Sequence, residues 1–99
     1  MQVSDEILQE IKDYLRITWT DTTEDNRLKK IIERVSARIS QLAGVPFTFE
    51  KEDAAKQLLF DGVRYAYNNS FEYFQENFIS EIQSLQFDVA VNVNAESQS

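Results

Sequence analysis

Residues 24–47 read EDNRLKKIIERVSARISQLAGVPF, and the reading of this stretch decides the fold. Leu28, Ile32, Val35, Ile39 and Leu42 recur at intervals of four, three, four and three residues, which lines them along one seam of an α-helix. Lys29, Lys30, Glu33, Arg34 and Arg38 fall largely off that seam. Gly44 stands where a left-handed C-cap is needed, and Pro46 prevents the helix from continuing. The spacing predicts a helix from Glu24 to Ala43, about 20 residues and about 30 Å long. Thr22, followed three residues later by Asp25, predicts a capping box with Asp in place of the usual Glu.

Towards the N-terminus, a polar connector, ITWTDTTEDN, surrounds Trp19. Before it lies a shorter amphipathic run: Ile7, Leu8, Ile11, Tyr14 and Leu15 share one helical face. Ser4 is placed to cap it. Asp5 and Glu6 occupy the first turn, where the helix dipole favours negative charge. Val3 and Leu8 are spaced as a hydrophobic staple. The predicted helix runs from Asp5 to about Leu15.

Towards the C-terminus, PFTFE predicts a short extended connector, followed by a helix from about Glu50–Asp53 to Asn68. Its apolar positions include Ala55, Leu58, Leu59 and Val63. Gly62 in its interior costs about 1 kcal/mol relative to Ala, which points to a close helix crossing. Asn68-Asn69-Ser70 reads as a stop and a new cap. A fourth helix is then predicted from Phe71 to about Gln86, with Phe71, Phe74, Phe78, Ile82 and Leu85 along its core stripe and Ile79 widening it. Tyr73 and Phe87 do not fit the stripe. Val89, Val91 and Val93 alternate with Ala90, Asn92 and Asn94, the two-residue period of a strand. A lone strand has no partner in a four-helix chain, so residues 88–99 are read as either a flexible tail or an extended arm that orders on another subunit. The expected architecture is all-α: a compact bundle of about four helices over residues 1–87, with a flexible or extended C-terminal tail.

Composition agrees with helices. One Pro and two Gly in 99 residues are few for an all-β chain, which needs many tight turns. There is no Cys and no His, which removes disulfides, thiolate metal sites, the imidazole base and nearly all zinc chemistry. No Walker-type or dinucleotide glycine loop is present, and DTTEDN lacks the glycine and terminal Glu of a calcium loop. The expectation is therefore no catalysis, no cofactor and no metal. A carboxylate-only enzyme is the weakest alternative, because Glu72, Glu76 and the Asp5-Glu6-Glu10-Asp13 set sit at helix-surface spacings. MQVSDEILQE is acidic and is not the pattern of a secretory leader. No apolar run approaches the ~20 residues of a membrane span, so a cytoplasmic, non-membrane chain is expected.

The net charge of −7 is unevenly placed. Residues 1–50 carry seven basic and nine acidic side chains, whereas residues 65–99 carry five acids and no Lys or Arg. Such a surface is unsuited to gripping nucleic-acid phosphates. A chain with basic side chains on its second helix and an acidic final third attracts a second copy head to tail, and heterologous contacts close into rings where the rotation allows. The candidate partner or self-assembly residues are Trp19, Arg34, Arg38, Tyr73, Phe87, Val89, Val91 and Val93.

The order of these features resembles a known family. ILQEIKDYLRI, a polar gap, EDNRLKKIIERVSARISQLAGVPF, LLFDGVRYAYNN and FQENFISEIQSL resemble the small head–tail connector (head-completion adaptor) proteins of long-tailed phages and prophages. Leu15, Arg16, Ile17, Asp25, Leu28, Ile32, Gly44 and Pro46 carry the first half of the pattern. Leu58, Leu59, Tyr65, Asn68, Phe74, Phe78, Ile82 and Leu85 carry the second. The resemblance covers about residues 5–88. Asn26-Arg27 departs from the acidic or small residues usual there, and the segment after Asp88 is not covered. The resemblance implies a helical subunit of a homo-oligomeric ring, commonly of twelve, at the virion head–tail interface, assembled in the host cytoplasm. Its implied partners are the portal protein and a stopper or tail-joining protein, with DNA passing through without specific binding. A small acidic helical regulator of the antirepressor or antitoxin type, acting by protein–protein binding, is the alternative.

Overall fold

In the computed structural model, residues 3–47, 49 and 52–98 are described, with side chains through Val91 apart from the gaps. The described chain is entirely helical. The helices are α1 (Asp5–Tyr14), α2 (Thr22–Ala43), α3 (Ala54–Tyr67), α4 (Phe74–Asn77) and α5 (Ile79–Gln98), with a 3₁₀ turn over Phe71–Tyr73 leading into α4.

Each helix begins and ends for a reason visible in its flanks. The Ser4 side chain accepts the Ile7 N–H at the start of α1. At its end, Arg16 adopts φ +60°, its N–H donates to the Asp13 carbonyl, and the Ile17 N–H donates to the Lys12 carbonyl at 2.8 Å. This is a Schellman motif with arginine in the left-handed position that glycine usually takes. The same motif closes α3: Asn69 at φ +59° donates to Ala66, and Ser70 donates to Tyr65. Gly44, at φ +84°, ends α2 as expected. The start of α2 differs from the capping box expected at Thr22 and Asp25. Asp21 is the N-cap and accepts from the Thr23 and Glu24 N–H groups. With Asp21 filling that role, the Asp25 carboxylate is left to pair with Lys12 of α1 at 2.9 Å.

The core is the meeting of the apolar stripes of all five helices. Ile11, Ile32, Ile39, Leu59, Val63 and Phe74 are fully or almost fully buried. Helix α2 packs most extensively on α3, and α5 lies against both. Gly62 sits at the crossing: a Cβ there would lie 2.6 Å from Val35 Cγ1 and 3.4 Å from the Phe74 ring. Phe74 in turn stacks on Phe71 and meets Phe78 and Tyr65, with centroids 5.2–6.1 Å apart. Two lysines on core-facing positions tie α1 to its neighbours. Lys12 reaches Asp25, and Lys56 of α3 reaches Glu10 of α1 at 2.8 Å as well as Glu52.

Two expectations for the C-terminal part are corrected. The single helix predicted over Phe71–Gln86 is interrupted: residues 71–73 form a 3₁₀ turn, and Phe78, at φ −113°, separates α4 from α5. The aromatic cluster of Phe71, Phe74, Phe78 and Tyr65 sets these bends, because burying Phe74 over Gly62 outweighs a straight helix. Of the two readings of residues 88–99, the extended arm drawn from the valine alternation is replaced by a helix, since α5 runs on to Gln98. Residues 79–98 contain no Gly or Pro to stop it, and a few valines lower helix propensity only slightly. Part of the connector expected at 46–50 lies outside the described residues, as does the Val93 side chain.

Candidate interaction site

Helix α2 and the 71–75 segment run alongside each other and leave a groove between them. Its larger part, a cleft of about 360 Å³, is lined by Ile31, Arg34 and Val35 from α2 and by Ala66, Phe71 and Glu72 opposite. A second part of about 180 Å³ shares Phe71 and Glu72 and continues past Arg38 to Leu42. The floor is apolar because α2 presents more than its narrow seam here: Ile31 lies one residue off the seam and is only half-buried. The rim carries two arginines on the α2 side and Glu72 opposite. Arg34 is exposed at the wider cleft, and Arg38 donates to Gln41 at 2.9 Å and Gln75 at 3.3 Å. Among the described residues neither arginine has an ion-pair partner.

A second surface lies on α5. Ile79, Phe87 and Val91 are 43, 68 and 47% exposed. Together with Gln83 they are spaced four residues apart and so form one row along the outside of the helix. Ser80, Ser84 and Asp88 border the row. The opposite side of α5 buries Ile82 and Leu85 and half-buries Val89, which lines a small cleft with Phe47 and Asp53.

The eight residues expected to serve a partner are thus divided. Arg34 and Arg38 share the groove rim, and Phe87 and Val91 share the outer row. Val89 turns towards its own body, away from Phe87 and Val91. Tyr73 is exposed on the 3₁₀ turn and Trp19 on the α1–α2 connector, and neither lines the groove. Ile79, expected in the core stripe, belongs to the exposed row instead. The break at Phe78 restarts the helix and moves Ile79 outward. Phe71, expected along the core stripe, also lines the groove, together with Ile31, which the seam of α2 leaves out. The spacing of Ile79, Phe87 and Val91 at multiples of four was the available signal, and it shows only once the helix is carried past residue 87.

Several of the acidic side chains tie neighbouring elements together. Tyr14 donates its hydroxyl to Asp61 at 3.0 Å, and Gln57 and Arg64 approach the same carboxylate. Burial, and secondarily this bond, raise the Tyr14 pKa above its ordinary value. The hydrogen bond to Glu10, reinforced by the one to Glu52, raises that of Lys56. Glu10 and Glu52 converge on the Lys56 ammonium, and the Glu10 pair ties α1 to α3. Among the described residues no group of three or more acidic side chains is placed to hold a metal ion, and no helix is long and apolar enough to cross a membrane.

No family model matches the chain, and neither a curated protein nor a solved structure matches it.

Proposed function

We propose that the chain is a structural virion protein: a head–tail connector subunit that forms a ring beneath the portal, extends the DNA channel and joins head to tail. The supporting observation is the ordered set of helix ends and apolar stripes over residues 5–88. It includes the Leu15-Arg16-Ile17 turn after a short first helix and the Gly44-x-Pro46 stop after a long second one. The role is mechanical. A subunit beside moving DNA is best served by a surface that does not hold phosphates, and residues 65–99 carry five carboxylates without a single Lys or Arg. The exposed row of Ile79, Phe87 and Val91 on α5 is available to engage a neighbouring component.

Electron microscopy of the protein mixed with the purified portal of the same genome tests this reading. Ring density on the portal's tail-facing side is the expected result. A stable dimer indifferent to portal would refute it and favour the small acidic regulator.

A further inference from the structure

The groove and the outer row of α5 match each other in length, shape and charge. From Ile31 to Leu42 the groove follows eleven residues of α2, about 17 Å at 1.5 Å per residue. From Ile79 to Val91 the row covers twelve residues of α5, about 18 Å. A row of side chains four apart is the ridge by which one helix enters a groove on another. The groove carries Arg34 and Arg38 on the α2 side against one carboxylate, Glu72, so its charge is net positive. The row is bordered by Asp88, on a part of the chain that contains no cation from residue 65 onward.

We propose that the row on α5 of one copy of this chain seats in the α2 groove of the next copy. Phe87, the most exposed large apolar side chain of the described residues, enters the wider cleft beside Arg34, and Asp88 meets the arginines of the rim. The cleft, at about 360 Å³, has room for an aromatic ring. The simplest competing arrangement sets two α5 rows back to back about a twofold axis. It would bring together two helices that carry Glu81, Asp88 and Glu96 with no cation on either to offset the repulsion. A groove-to-row contact is heterologous, so every copy keeps one free groove and one free row, and a series of copies closes into a ring or continues as a filament. The contact deepens the ring reading above, but it requires only two copies and no portal.

The absence of native Cys makes the test direct. Glu72→Cys places a thiol in the groove, and Ser84→Cys places one at the border of the row while leaving Phe87 intact. After mild oxidation of an equimolar mixture, the 72–84 adduct should exceed the 84–84 homodimer. It should also exceed the adduct of Ser84→Cys with Gln57→Cys, a control on the exposed side of α3. In sedimentation, Phe87→Asp or Ile31→Glu alone should weaken self-association at least about tenfold, as loss of a central apolar anchor does. Circular dichroism confirms that each variant is folded. Mixing the two variants should restore a dimer and nothing larger, because each supplies the surface the other lacks. Dominance of the 84–84 homodimer, or a 72–84 yield no higher than the control, overturns the proposal. Portal binding without the 72–84 adduct would sink this contact alone, whereas the adduct without portal binding would sink the connector reading alone.

Discussion

Gly62→Ala separates helix propensity from packing, and the two predict opposite signs. Gly62 lies inside α3, so replacing it with Ala should stabilise the helix by about 1 kcal/mol if only propensity acts. The structure says otherwise. The new Cβ would stand 2.6 Å from Val35 Cγ1, about 1 Å inside an ordinary carbon–carbon contact, with the Phe74 ring at 3.4 Å on another side. Neither neighbour moves aside easily. Val35 is buried in α2, where a β-branched side chain holds one strongly preferred rotamer, and Phe74 is clamped by Phe71, Phe78 and Tyr65. Overpacking of this kind costs about 1–3 kcal/mol and can exceed it. The net effect should be a loss of about 0–2 kcal/mol once propensity is credited, where propensity alone gives a gain. Urea unfolding followed by helical circular dichroism reads this directly, and each kcal/mol corresponds to about 4–8 °C in Tm for a domain of this size. A cycle with Val35→Ala identifies the clash. That substitution alone removes two buried methyl groups, about 1.6 kcal/mol before any cavity term. It also removes the atom the new Cβ would strike. The double variant should therefore be more stable than the sum of the singles by about 1–3 kcal/mol. A stabilised Gly62→Ala, or strict additivity with Val35→Ala, would refute the close crossing.

Two further tests address the helix ends and the ion pairs. Gly44→Ala meets nothing within 4 Å, so its expected loss of about 1 kcal/mol is backbone strain at φ +84°; Arg16→Gly, at φ +60°, should instead be neutral or stabilising by up to about 1 kcal/mol. Urea titrations of both variants check the pair, and a Gly44→Ala protein as stable as the parent would contradict the cap. Lys56 and Tyr14 both have pKa values raised in the folded chain, which fixes the sign of the alkaline limb. The folded state holds these protons more tightly than the unfolded one, so their contribution is complete below the unfolded values of about 10.4 and 10 and is lost as pH rises through the folded ones. Stability measured across this range should fall less steeply in the Lys56→Met, Tyr14→Phe double variant than in the parent. An unchanged slope would count against both pairings.

What could be read from the residues follows the strength of their local signals. Helix α2 was legible because a seam of five apolar positions, a stop glycine and a proline all agree, and Gly62 announced the crossing because a glycine inside a helix is otherwise unfavourable. Helix α1 was legible in its cap but not in its closure. Arginine is a poor guide to a left-handed turn, and only the Arg16 and Ile17 hydrogen bonds reveal the Schellman motif. The burial of Lys12 and Lys56 has only a weak signal in the sequence, their helical spacing from core residues: Lys12 between Leu8 and Leu15, Lys56 before Leu59 and Val63. Their long stems cover apolar surface while the ammonium finds a carboxylate on the next helix. Which carboxylate it finds depends on tertiary placement, and no local pattern encodes that.

The C-terminal segment shows how one pattern carries two meanings. Val89, Val91 and Val93 alternate, and on a strand all three would share a face. On a helix, consecutive members of the set stand about 200° apart, so the same residues divide between opposite sides. The structure takes the second course. Val89 is drawn against Phe47 and Leu85, and Val91 joins Phe87 and Ile79 outside. The alternation that suggested a single adhesive edge thus becomes, once wound at 3.6 residues per turn, one residue that anchors α5 to its own bundle and another that extends the exposed row. The partner-facing surface is therefore set less by which apolar residues the segment contains than by its backbone, and the lack of any Gly or Pro between Ile79 and Gln98 is what lets the helical backbone prevail.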